Sequence, residues 1–192
     1  MQAKEHTRPL LLVDIDGVIS LFGFSPRDVR EGGFHSIDGI PHFLSTAAAE
    51  NLLRLVSVFD LAWCSGWEEK ADEYLPHLLG LPRGLPFLSF DRDGMYEVGA
   101  AKEDGMAADS GVAGMAADSG VARVTRAHWK LDAIDAFAGP RRALAWIDDA
   151  FDESCHAWAA ARQAPTLLVQ TAPQAGLTEQ EARLLGEWAG ML

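Results

Sequence analysis

Short apolar runs alternate along the chain with longer amphipathic stretches. Residues 9–14 (PLLLVD) are apolar and end in an acid, the pattern of a strand buried on both faces. Residues 45–58 predict a helix, with Ala48, Leu52, Leu55 and Val56 on one face that runs on to Phe59. FDLAWC at 59–64 predicts a second strand, EEKADEYLPHLL after Gly66 a second helix, and LPFLSF at 85–90 a third strand. A helix over 127–138 is closed by Gly139 and Pro140. ALAWI at 143–147 reads as a strand, and 151–162 as a helix with Phe151, Cys155, Trp158 and Ala159 on one face. TLLVQT at 166–171 is the last strand, before a final helix opened by Thr178 and Glu181 in capping-box spacing. Strands that alternate with helices predict an α/β fold, a parallel sheet of about five strands with helices on both faces.

Two stretches fall outside this alternation. Residues 18–43 carry Gly, Pro and an Asp38-Gly39 turn signal among aromatic and β-branched residues, which predicts a hairpin-like flap. Residues 91–126 contain a tandem repeat, GMAADSGVA at 105–113 and again at 114–122. Two nine-residue copies are too few and too short for a solenoid. They read as a local duplication within a loop, with a lid over a site as the alternative.

Composition narrows the function classes. A chain of 192 residues, 48% hydrophobic and 23% charged, is the size of a single globular domain spanning residues 1–192. Its 16 Lys and Arg against 28 Asp and Glu leave a net charge of −12, which argues against general nucleic-acid binding and against anionic membranes. Cys64 and Cys155 are too few for a disulfide framework and lie in no zinc spacing. Aspartates interrupt the apolar run near the N-terminus, and no stretch approaches membrane-span length. The expectation is a soluble, cytoplasmic protein with reduced thiols.

Ligands of open parallel sheets bind beyond the carboxyl ends of the strands. There the chain places Asp14-Ile15-Asp16-Gly17 after the first strand, Cys64-Ser65-Gly66 after the second and Asp148-Asp149 after the fourth. Two carboxylates about 4 Å apart repel by roughly 4 kcal/mol at an effective dielectric near 20. A cluster of them therefore needs a cation, and oxygen-only ligands at a wet rim suit Mg²⁺, with Mn²⁺ also accepted. Lys130 borders the buried face of its helix, with Ile134 and Phe137 at i+4 and i+7. It is either a partner for these acids or a snorkelling lysine over apolar surface. Ser65 with Glu68 also has capping-box spacing, and Asp152 stands where a helix dipole favours an acid. Val18, Ile19 and Ser25 occupy the places where a calcium loop needs a ligand, Gly and Glu.

LLLVDIDGVI (10–19), Ser65 in LAWCSGW, Lys130 and WIDDAFD (146–152) stand in order along the chain. Together they resemble the four motifs of haloacid-dehalogenase-like (HAD) hydrolases. The chain is also similar to small HAD-like proteins akin to the HAD domain found with RNA-repair enzymes, in which W-x-[ST]-x-W follows the second strand. The resemblance implies a Rossmann-like HAD fold with a minimal cap. It implies a nucleophilic Asp14 that forms an aspartyl-phosphate, and Asp16 as the general acid and base. Ser65 and Gly66 would bind the phosphoryl oxygens, helped by N–H groups at the start of the following helix. Lys130 would neutralise developing charge. Mg²⁺ would be held by Asp14, the Asp16 carbonyl and Asp148, with Asp149 contributing directly or through water and Asp152 a further possibility.

The implied activity is a Mg²⁺-dependent phosphatase acting on a phosphorylated substrate. One alternative is a nucleic-acid end phosphatase in RNA repair, which the acidic balance opposes for tight binding by this chain alone. Another, of a different class, is a non-catalytic phospho-ligand or partner-binding protein. His35, His42, Arg27 and Arg30 lie in the flap, where a substrate would meet them.

Overall fold

The computed structural model describes residues 8–25, 31–90 and 128–192. The chain divides into two units, residues 1–90 with 127–192, and residues 91–126. The second unit, with the tandem repeat at 105–122, lies outside the described residues, as do Arg27 and Arg30.

Among the described residues the first unit carries two sheets. The larger is parallel and has four strands: β1 (Leu10–Val13), β5 (Asp60–Trp63), β6 (Leu144–Asp148) and β7 (Thr166–Gln170), in the order β5-β1-β6-β7. β1 therefore lies between two neighbours, with Val13 opposite both Trp63 and Ile147. The expected strand at 85–90 shrinks to a single bridge, Trp63 to Phe87. Pro82, Gly84 and Pro86 break that segment, and a proline has no N–H to extend a ladder.

Side-chain alternation along β1 builds two cores. Leu11 and Val13 join the cluster made by α1 (Thr46–Leu55), α2 (Lys70–Leu79) and α5 (Glu179–Gly190). Leu10 and Leu12 join the cluster made with α3 (Leu131–Ala138) and α4 (Glu153–Ala161). The sheet is thus covered on both faces, as its continuous apolar strands require. Caps set several helix starts. Ser45 accepts from the Ala48 N–H at α1, and Thr178 with Glu181 forms the expected capping box at α5. The Ser65–Glu68 spacing does not act this way. α2 starts at Lys70 with no side-chain cap, and Glu68 instead accepts from the Phe90 N–H.

Residues 18–45 hold the second sheet, an antiparallel one of β2 (Ser20–Leu21), β4 (Ile40–Ser45) and β3 (Gly32–Ile37). Asp38 and Gly39 both have positive φ, 51° and 81°, as a type I′ hairpin turn demands. The tip is fastened to α2: the Lys70 ammonium and the Tyr74 hydroxyl both donate to the Asp38 carboxylate.

Candidate active site

The first strand delivers its acids through a tight turn. After Val13 the Asp14 N–H donates to the Ile147 carbonyl at 3.0 Å, which fixes Asp14 at the carboxyl edge of the sheet. The chain then folds back on itself. The N–H groups of Val18, Ile19 and Ser20 all point to the Ile15 carbonyl, and Gly17 donates to the Ser20 carbonyl. Ile15, Val18 and Ile19 are fully buried, so apolar burial anchors the backbone that carries Asp16.

Lys130 joins the acids at the ends of β1 and β6. It is the N-cap residue of α3 and is 3% exposed. Its ammonium lies 2.6 Å from Asp148 Oδ2 and 3.0 Å from Asp14 Oδ2. The alternative of a snorkelling lysine is excluded by that burial. Ile134 is buried as expected, but Phe137 is exposed and does not share its face. In the last turn of α3 it is Ala138, four residues after Ile134, that packs against the core with Leu131 and Ile134. Asp148 is held further by the Trp146 indole N–H at 3.1 Å and the Ala150 N–H at 3.1 Å. Lys130 also stands 5.2 Å from the Trp129 ring centroid and 6.0 Å from that of Trp146, within cation–π range.

Asp14, Asp148 and Asp149 each offer an oxygen within 4.8 Å of the others. Burial pushes the Asp14 carboxyl up to about 7, opposed by Lys130 and reinforced by Asp148. Asp149 is also raised, by burial and then by Asp148. Burial works against the Lys130 ammonium, yet Asp14 and Asp148 outweigh it and hold its pKa above the ordinary lysine value. Three carboxylates facing one ammonium leave two negative charges, which a divalent cation balances. Hard oxygen donors on a partly hydrated rim fit Mg²⁺.

Gly17 shows why this turn carries glycine. Its φ is +74°, and a Cβ built there would sit 2.5 Å from Asp149 Cγ. The absent side chain makes room for the Asp149 carboxyl. Thr171, buried at the end of β7, ties the corner together: its hydroxyl donates to the Gly17 carbonyl at 2.9 Å, and its N–H to the Asp148 carbonyl at 3.0 Å. Nothing in the sequence pattern singled out Thr171.

The other expected residues fall as follows. Ser65 follows β5 and is 2% exposed, on the same rim as Asp14. Gly66 is exposed, and a Cβ there would touch nothing within 4 Å. A turn over 66–69 separates it from α2, which begins at Lys70. The Asp16 side chain lies outside the carboxylate group and is half exposed. It accepts from the Trp67 indole N–H at 3.0 Å and lies 3.7 Å from His42 Nδ1. Asp152 caps α4, accepting from the Ser154 hydroxyl and the Cys155 N–H. Its carboxyl is lowered by the Ser154 hydrogen bond. Cys64 and Cys155 are free and buried.

Residues 10–182 match the sequence model of the family described as the HAD domain in Swiss Army Knife RNA repair proteins. The chain belongs to this family. The match spans every acidic segment of the site and both faces of the sheet. No curated protein matches the chain significantly. Among the described residues of this HAD domain, no helix is long and apolar enough to cross a membrane. The fold and the family agree on a HAD domain, and the Asp14, Asp148 and Asp149 oxygens form a cluster in which a metal fits.

Proposed function

We propose that this HAD domain is a Mg²⁺-dependent phosphomonoesterase that works through Asp14. The observation that carries the reading is the pairing of two differently placed aspartates. Asp14 is buried against Lys130, whereas Asp16, two residues on, is half exposed and held by Trp67. A phospho-ligand binder has no use for a second carboxyl turned out of the charged cluster. A proton carrier does.

Asp14 attacks phosphorus and forms an acyl phosphate as the ester P–O bond breaks. Asp16 gives its proton to the departing oxygen. The Asp16 carboxylate then takes a proton from water as that water attacks phosphorus. The Asp14–phosphorus bond breaks, and inorganic phosphate leaves with Asp14 restored. Lys130 favours the ionised form of Asp14 against its burial, orients it, and neutralises charge on the phosphoryl oxygens. Ser65 donates to those oxygens. Asp14, Asp148 and Asp149, with the Asp16 carbonyl, would hold Mg²⁺, which when bound would supply further neutralisation of the transferring group.

A more specific reading is a phosphatase acting on nucleic-acid ends, supported by the RNA-repair proteins in which the family's domains occur. The net charge of −12 favours brief contact with a terminus over tight binding along a strand. The test is a panel of phosphate monoesters, including 3′- and 5′-phosphorylated oligonucleotides, with Mg²⁺ and beside Asp14→Asn. Turnover that vanishes in the variant is expected. Turnover that survives Asp14→Asn, or none on any ester, overturns the reading.

A further inference from the structure

We propose that Trp67 is a positioning residue that aims the Asp16 carboxyl for proton transfer, a role that rests on the phosphatase reading above. Asp16 is half exposed, and its backbone is fixed but its side chain is not walled in. A carboxyl in that setting samples several rotamers unless something holds it. The Trp67 indole N–H is 3.0 Å from Oδ2. Indole nitrogen donates and never accepts, so this bond makes Oδ2 the acceptor oxygen and assigns the transferable proton to Oδ1. An otherwise symmetric carboxyl thereby acquires a working oxygen and a held one.

The holder is itself held. The Trp67 ring packs against the core formed by α1, α2 and α5. The His42 ring meets it edge-on, with centroids 4.7 Å apart at 70°. His42 in turn shares a 3.0 Å hydrogen bond with the Ser20 hydroxyl and lies 3.7 Å from Asp16 Oδ1. The Ser20 backbone pairs with the two residues that flank Asp16, donating to the Ile15 carbonyl and accepting from the Gly17 N–H. Ser20, His42, Trp67 and Asp16 thus close a ring of contacts. The turn after β1, the hairpin and the turn before α2 all contribute to it. Proton transfer depends on sub-ångström placement of the donor, and this ring supplies it.

The experiment compares two esters in the full chain with Mg²⁺. An aryl phosphate such as p-nitrophenyl phosphate has a leaving group that departs without a proton. An alkyl phosphate such as glycerol phosphate needs one. Asp16→Asn sets the scale: in kcat/KM, which reports phosphorylation of Asp14 and not the later attack of water, its loss is selective for the alkyl ester. Trp67→Phe keeps an aromatic ring and removes the N–H. We expect it to lose about 10–100-fold in kcat/KM on the alkyl ester, part of the roughly 100–10,000-fold that general acid catalysis contributes, and less than about threefold on the aryl ester. Unfolding midpoints report whether the fold is intact. If Trp67→Phe unfolds, a tryptophan analogue with sulfur in place of the indole N–H keeps the shape and gives the same comparison. Equal losses on both esters, or none, while Asp16→Asn stays selective, overturn the role of Trp67 and leave the phosphatase reading standing. An unselective Asp16→Asn, or a wild-type chain inactive on both esters, removes the reading and this role with it.

Discussion

Replacing Lys130 with methionine tests how this site balances its charge. Methionine fills a similar volume but leaves Asp14 and Asp148 facing each other without the ammonium that now lies 3.0 Å and 2.6 Å away. Lys130 is 3% exposed, so water screens little of the change. Breaking a buried ion pair by removing one partner costs about 3–5 kcal/mol, a large share of the roughly 5–15 kcal/mol that holds a domain together. For a chain of this size that corresponds to a fall in melting temperature of roughly 6–20 °C. The loss depends on pH in a stated direction. Burial already lifts the Asp14 carboxyl to about 7, and Lys130 is what pulls it down. Without Lys130, Asp14 keeps its proton to higher pH, so the variant is still largely neutralised at pH 7, whereas at pH 9 it must ionise a carboxyl that no ammonium balances. Urea unfolding at pH 7 and pH 9, without Mg²⁺, measures both stabilities. The deficit at pH 9 should be larger than at pH 7 by about 1 kcal/mol or more, one pKa unit being worth about 1.4 kcal/mol. Added Mg²⁺ should narrow the deficit at pH 7. A deficit below about 1 kcal/mol, or one that is the same at both pH values, refutes the reasoning.

Gly17→Ala forces a left-handed residue to carry a Cβ 2.5 Å from Asp149 Cγ. It should cost about 1–2 kcal/mol in backbone strain alone, and calorimetry should show Mg²⁺ affinity falling roughly tenfold or more, the range seen when a ligand's support is lost; unchanged affinity would separate Asp149 from the metal. Asp152→Ala removes the α4 cap and should lower stability by about 1 kcal/mol, with Mg²⁺ affinity and kcat unchanged, whereas a loss of affinity would make Asp152 a ligand. In the metal-free protein Asp14 has a raised folded pKa. Its contribution to stability is present below its ordinary value and lost as pH rises through about 7. The gain in melting temperature from Mg²⁺ should therefore be larger at pH 8 than at pH 5, and equal gains would contradict the assignment.

The parallel sheet was legible because β1 and β6 are unbroken apolar runs, the mark of strands covered on both sides. The acids were legible because each terminates such a run. Contacts that join distant segments were not. The Trp67 N–H to Asp16, the Thr171 hydroxyl to Gly17 and the space that Gly17 leaves for Asp149 depend on how turns are brought together. Local periodicity does not encode that. Phe137 shows the same limit. Its spacing from Ile134 suits a buried face, but it is Ala138 that packs against the core, and Phe137 is exposed. The segment at 85–90 was apolar enough for a strand, yet Pro86 limits it to one bridge.

The contact between Gly17 and Asp149 bears on how this site changes over generations. The two positions occupy one small volume, although they lie far apart in the chain. Any side chain gained at 17 takes space from the carboxyl at 149, and a shorter residue at 149 would relieve that contact but not the left-handed backbone at 17. Substitutions at the two should therefore be coupled in one direction, a side chain at 17 being tolerated better where 149 is small. A drifting copy that no longer uses the metal would lose one of the two demands that keep glycine at position 17.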